Sequence, residues 1–283
     1  MVKHSYLILA HYDVPLLQVL LDSLDDKRND IYIHWDLKSG PTPSVSTTNA
    51  GLSFIEDRVD VNWGAYSMVV AEYNLFKTAY EKGPYGYYHL ISGVDLPIKS
   101  QEYIHQVCDN AAGTEYIAFA DASMSELDYR VQHYFLFQNE FKGAGFLKRL
   151  TRKVFVKAQY MVGYHRTDVK VRKGSQWCSV TQDFVAYLLS KEADVKKMFD
   201  HTFCPDELFV QTVCANSPFM EKVKEADSEF DGNLRYIKWV DGALLPITID
   251  DLPALKRSNR WFARKFSGKD KELVDAIKDM IND

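Results

Sequence analysis

Along the first 120 residues, short apolar runs alternate with longer stretches in which apolar residues recur every three or four positions. The short runs, at 6–10, 30–34, 51–55, 87–91 and 116–119, are expected strands. Between them, 15–24 reads as a helix with Pro15 near its start. Residues 67–82 read as another, with a stripe of Met68, Val69, Ala71, Leu75, Phe76 and Ala79 and a stop at Gly83-Pro84. Such alternation predicts an α/β fold: a central, mostly parallel sheet with crossover helices.

Polar groups follow the apolar runs at once: His11, His34-Trp35-Asp36, Ser92-Gly93-Val94-Asp95 and Asp121. Ligands of open α/β sheets bind outside the carboxyl ends of the strands, so these residues are expected on one rim. Each alone equally suits a loop or a cap. From 122 to 173 the pattern loosens into aromatic and basic material, including Tyr129-Arg-Val-Gln-His133, expected to be an insertion walling the acceptor side of a cleft. Helices are expected again from 181 to 190 and from Cys204-Pro-Asp-Glu-Leu208 through about 216. No repeat or linker divides the chain, which points to one catalytic domain over 1–283.

Composition narrows the class. With 46% hydrophobic and 26% charged residues the chain is globular in type, and its net charge of −5 argues against a nucleic-acid partner gripped by a broad cationic surface. Positive charge is concentrated instead at 148–173, where nine Lys and Arg accompany a single acid, Asp168. That segment reads either as a solvated helix or as a contact for an anionic membrane surface or an acidic acceptor. Cys108, Cys178, Cys204 and Cys214 form no Cys-x-x-Cys pair, so free thiols are expected, with neither a zinc site nor a disulfide scaffold. The first ten residues have too short an apolar run for a signal peptide, and no run approaches the roughly 18 apolar residues of a membrane span. A cytoplasmic location, with peripheral contact at the inner face of a membrane, is the expectation.

Two clusters suggest chemistry. Pro205-Asp206-Glu207 opens an expected helix, where acids favour the macrodipole; at a cleft rim the same Glu207 suits a general base. Arg264-Lys265, set between aromatics in Trp261-Phe-Ala-Arg-Lys-Phe266, is either a solvated basic turn or a pair that stabilises a departing diphosphate. Arg235 and Lys238 either assist that pair or, the favoured reading, belong to an expected strand with exposed charges. No two aspartates are spaced by one residue, so the Asp-x-Asp metal pair of many sugar-nucleotide transferases is missing, and no metal or other cofactor is expected. Neither a glycine-rich phosphate loop nor a His-Glu-x-x-His motif occurs.

Six ordered blocks carry a resemblance: Ile31-Tyr-Ile-His-Trp-Asp-Leu-Lys-Ser39, Val61-Asn-Trp-Gly-Ala-Tyr-Ser67, Leu90-Ile-Ser-Gly-Val-Asp-Leu-Pro-Ile-Lys99, Gly174-Ser-Gln-Trp177, Pro205-Asp-Glu207 and Phe262-Ala-Arg-Lys-Phe266. In these the chain resembles the core-2/I-branching glycosyltransferases, which include β-1,6-N-acetylglucosaminyltransferases and peptide O-xylosyltransferases. The resemblance implies a GT-A type fold with a Rossmann-like sheet flanked by helices, a UDP-sugar donor, a hydroxyl acceptor on a glycan or other molecule, inversion, and no metal. It makes Glu207 the base and Arg264 with Lys265 the diphosphate pair. His34, Asp36 and Asp95 fall in the blocks that hold uridine, and Ser175 and Trp177 in the block near the transferred sugar.

Animal members of that family have a membrane anchor, a stem and several disulfides, none of which this stretch displays. A bacterial enzyme of cell-surface or secreted polysaccharide synthesis is therefore expected. Two other classes compete. A non-catalytic sugar- or nucleotide-binding protein would be stabilised by ligand without releasing UDP. A glycoside hydrolase pairing Glu207 with Asp206 or Asp95 would need no nucleotide.

Overall fold

The computed structural model of the chain describes residues 2–282 apart from 112, 227, 229, 230 and 242. The N-terminal half runs β1 (His4–Ala10), α1 (Val14–Ser23), β2 (Asn29–Trp35), β3 (Gly51–Phe54), α2 (Tyr66–Lys82), β4 (Tyr87–Ser92), β5 (Leu96–Pro97) and α3 (Gln101–Asn110). Then come α4 (Met124–Val131), α5 (Phe146–Met161), β6 (Cys178–Thr181), α6 (Gln182–Ser190), α7 (Glu192–Phe199) and α8 (Phe209–Ala215). The chain closes with β7 (Arg235–Ile237), β8 (Trp239–Val240), β9 (Ala243–Leu244), α9 (Leu252–Arg257), β10 (Phe262–Arg264) and α10 (Lys271–Asn282).

The central sheet has strand order β3-β2-β1-β4-β6, parallel except at β6, which pairs antiparallel with β4. Alternation along β1 explains its burial on both faces. Tyr6, Ile8 and Ala10 enter a core with α1, α3 and α10, while Leu7 and Leu9 enter a second core with α2, α6 and α8. In a smaller sheet, β5-β10-β7, the antiparallel pairing of β5 with β10 is extended by Ile98 N–H on Trp261 O at 2.8 Å and Phe266 N–H on Val94 O at 3.0 Å.

Four of the five expected strands are present within one or two residues of their expected limits. The fifth is not. Residues 116–119 form no strand ladder among the described residues: Tyr116 makes an isolated bridge to Ser179 of β6, and Ala120, just beyond, makes one to Lys173. The sheet position beside β4 is taken by Cys178–Thr181, the lead-in to α6, because that segment keeps register with β4 over four pairs, Tyr87 to Thr181 through Leu90 to Cys178. The expected helix from Cys204 is broken as well: Pro205–Glu207 is a 3-10 turn, and α8 starts only at Phe209. No helix among the described residues is long and apolar enough to cross a membrane.

Candidate active site

Parallel strands put the ends of β1, β2 and β4 on one edge, and α2, a crossover that starts after β3, begins at that edge too. The Glu207 turn is pinned there. Cys204 N–H donates to Gly64 O at 2.9 Å, two residues before α2 starts. Cys204 itself is held left-handed at φ 48°, a conformation costly for a residue with a Cβ and one that over-determined sites tend to retain.

Glu207 is 42% exposed at its side chain, and its Oε2 accepts from Nη2 of the buried Arg130 at 3.0 Å. The same guanidinium donates to Cys204 O at 2.6 Å and Phe203 O at 3.1 Å. One cation from α4 thus fixes both the carboxylate and the backbone that carries it. Beneath the turn, Glu72 of α2 is fully buried and accepts from Gln176 Nε2 at 2.6 Å. Burial lifts the Glu72 carboxyl well above the usual carboxylate range, with the charge of Asp206 adding to it. Asp206 is pushed up to about 7, by burial first and by the Glu207 charge second, and its Oδ1 has no hydrogen-bond partner among the described residues.

The 174–177 segment links this turn to the cation pair. Gly174 N–H donates to Glu207 O at 2.9 Å, and a Cβ on Gly174 would lie 1.9 Å from Ala118 O, so only glycine fits. Three residues on, the Trp177 ring lies under the Arg264 guanidinium, 4.2 Å from its centroid, a cation–π contact in a desolvated place. Arg264 Nε also pairs with Asp95 Oδ1 at 3.2 Å, and Asp95 accepts from Ser92 N–H at 2.9 Å and Ser92 Oγ at 2.6 Å. Burial lowers the Arg264 pKa, and burial together with the Arg264 charge lowers that of Lys265. The Lys265 ammonium has no ion-pair or hydrogen-bond partner among the described residues. Two crowded cations against one carboxylate favour an incoming anion.

The structure thus brings Glu207, Ser175, Trp177, Asp95, Arg264 and Lys265 into one linked set. Asp36 joins the rim directly after β2, its Oδ1 accepting from Lys38 N–H at 3.1 Å. His34 does not reach the cleft. It is 1% exposed, its Nε2 accepts from Val59 N–H at 3.0 Å, and burial lowers its pKa, so it fastens the loop before α2. Nor is Arg235 exposed as expected. It is 2% exposed, donates to Asn233 O, Cys178 O and Ser179 Oγ, and clamps the two sheets together. His4, His89 and Cys108 are close enough to share a metal ion, yet His4 Nδ1 and His89 Nε2 bond each other at 3.0 Å and His89 Nδ1 bonds Ser179 Oγ at 2.8 Å.

Sequence reasoning missed Arg130, Glu72 and Gln176. Their partners are 77 and 104 residues away, and no local spacing signals that.

Residues 5–260 match the family described as Core-2/I-Branching enzyme. The chain belongs to that family. The core-2/I-branching chain is 21% identical over 290 residues to a mouse protein, beta-1,3-galactosyl-O-glycosyl-glycoprotein beta-1,6-N-acetylglucosaminyltransferase 4, with 94% of this chain aligned to 62% of that relative's length. Among solved structures, S. aureus TarS residues 1–349 align at 11% identity and a TM-score of 0.36, over 76% of this chain and 56% of that one. Mouse xyloside xylosyltransferase 1 aligns at 11% and 0.32, over 77% and 83%.

Proposed function

We propose that this core-2/I-branching chain is an inverting, metal-independent glycosyltransferase that moves N-acetylglucosamine or xylose from a UDP-sugar to a hydroxyl of a glycan or other acceptor. The observation that carries the reading is the tie between a half-exposed, Arg130-anchored Glu207 and an Arg264–Lys265 pair with unspent positive charge, through Gly174–Trp177. The acceptor oxygen attacks the anomeric carbon on the face opposite the diphosphate, and the bond from that carbon to the phosphate oxygen breaks. Glu207 takes the hydroxyl proton as the new bond forms. Arg264 and Lys265 stabilise the charge that develops on the departing UDP, the task a divalent ion performs elsewhere. Asp36 faces the uridine, whereas Asp95 acts by aiming Arg264. Work on cell-surface or secreted polysaccharide, on the cytoplasmic side of a membrane, completes the reading.

Glu207→Gln keeps the shape and the Arg130 contact but cannot accept the proton. It should cut transfer by at least about a hundredfold, while thermal stabilisation by UDP persists with or without EDTA. A variant with wild-type turnover removes Glu207 from the role. UDP stabilisation that disappears in EDTA removes the metal-free mechanism.

A further inference from the structure

Helix α5 is turned the wrong way for a core helix. Among its sixteen residues only Val156 and Gln159 are buried. Gln159 clamps the helix to Tyr134 by two bonds of 2.9 Å, its Oε1 accepting from Tyr134 N–H and its Nε2 donating to Tyr134 O. On the opposite face Leu147, Leu150, Val154, Ala158 and Met161 follow at spacings of three and four residues, which makes one continuous stripe. Leu147 is 74% exposed, Val154 59% and Met161 78%. Beside the stripe Arg149, Lys153 and Lys157 form a parallel row one turn apart. Five cations and no acid lie in the helix of a chain whose net charge is −5.

We propose that α5 is a docking surface for an anionic lipid bilayer, lying in the plane of the headgroups with its apolar stripe among the acyl chains. At about 1.5 Å per residue the helix is roughly 24 Å long, suited to lying in the interface. The charge pattern selects this occupant. Two copies paired through the stripe would bring like cation rows together, and a nucleic acid would engage the cations while leaving the stripe in water. Anionic lipid satisfies both features, and the rest of the acidic molecule is repelled from it. Docking also sets the cleft at the surface. The Arg152 guanidinium lies 4.8 Å from the Phe141 ring centroid, Phe141 packs on Phe203 at 4.9 Å, and Phe203 precedes the Glu207 turn. On the transferase reading, the acceptor is then a saccharide carried at that surface.

Flotation of the full chain with vesicles of phosphatidylglycerol and phosphatidylcholine, and with vesicles of phosphatidylcholine alone, tests this. The chain should float with the anionic vesicles only, and less at high salt. Lys153→Gln with Lys157→Gln should each lower partitioning about fivefold, and Leu150→Gln with Val154→Gln about tenfold each. All four sites are exposed, so thermal melts and UDP release in solution should match wild type. A wild-type chain that stays down with anionic vesicles overturns the proposal. So does binding that the apolar substitutions leave intact, which marks a general polyanion site, and so does a concentration-dependent dimer abolished by them without vesicle binding. Flotation requires no turnover, so failure of the transferase reading is seen separately, as absent UDP release.

Discussion

Helices α2 and α5 are nearly equal in length, seventeen and sixteen residues, and both are amphipathic, yet they face opposite ways. In α2 eight residues are buried, among them Val69, Leu75, Phe76 and Ala79, the stripe the sequence predicts. In α5 two are buried and the apolar stripe meets solvent. Periodicity therefore shows that a helix has an apolar face but not what covers it. The flanking charge is the better guide. Along α2 the apolar stripe continues into buried Glu72 and Tyr73, whereas along α5 it is edged by cations that burial would penalise.

The sharpest way to break this comparison is to cut into both helices. Phe76→Ala in α2 should cost about 3–5 kcal/mol in urea unfolding, since its ring is fully buried. Next in size is the residue through which the 122–173 region meets the rim. Arg130→Gln should reduce the turnover number for transfer by roughly ten- to a hundredfold through misplacement of Glu207, with the KM for the donor nearly unchanged. Equal losses in both would show that the arginine serves folding alone.

A third effect belongs to the sheet side. Burial, then the charge of His105, lowers the His4 pKa to about 3, against 6.5 for the unexposed reference value. Between those values the unfolded chain binds the extra proton. The stability tied to His4 is therefore complete above pH 6.5 and is lost as the pH falls toward about 3. His4→Asn should flatten the acid limb of the stability curve by up to about 1.4 kcal/mol per pH unit. Unchanged slopes in urea titrations at several pH values would exclude it. Smallest of all, Leu150→Ala on the outer face of α5 should shift stability by less than about 0.5 kcal/mol. A loss comparable to that of Phe76→Ala would mean that α5 is packed after all.

Legibility in the sequence followed the range of the interaction. Strands β1, β2, β3 and β4 and helices α1 and α2 are set by local alternation and by Pro15 and Gly83-Pro84, and they lie where the pattern puts them. Residues 116–119 read as a strand because they are short and apolar, yet β6, equally short and buried and in contact with them at Tyr116–Ser179, is the one that pairs with β4, and no local pattern separates the two. At the rim, the ordered blocks located Glu207, Trp177, Arg264 and Lys265. The buried state of His34 and Arg235 was hidden, since a charged or polar side chain is buried by partners that lie elsewhere in the chain, Val59 for one and Cys178 and Ser179 for the other.

Gly174 also governs how the cleft can evolve. Its amide fixes the Glu207 backbone, and its missing side chain lets the segment before β6 press on Ala118. Trp177, three positions later, seats Arg264. On the proposed mechanism, the two ends of the reaction coordinate, proton removal and leaving-group departure, are thereby gauged from a single point on the chain. A substitution there would displace both ends together, so adaptation to larger or smaller sugars has to be made around this segment, by neighbours that can change without altering the distance it sets.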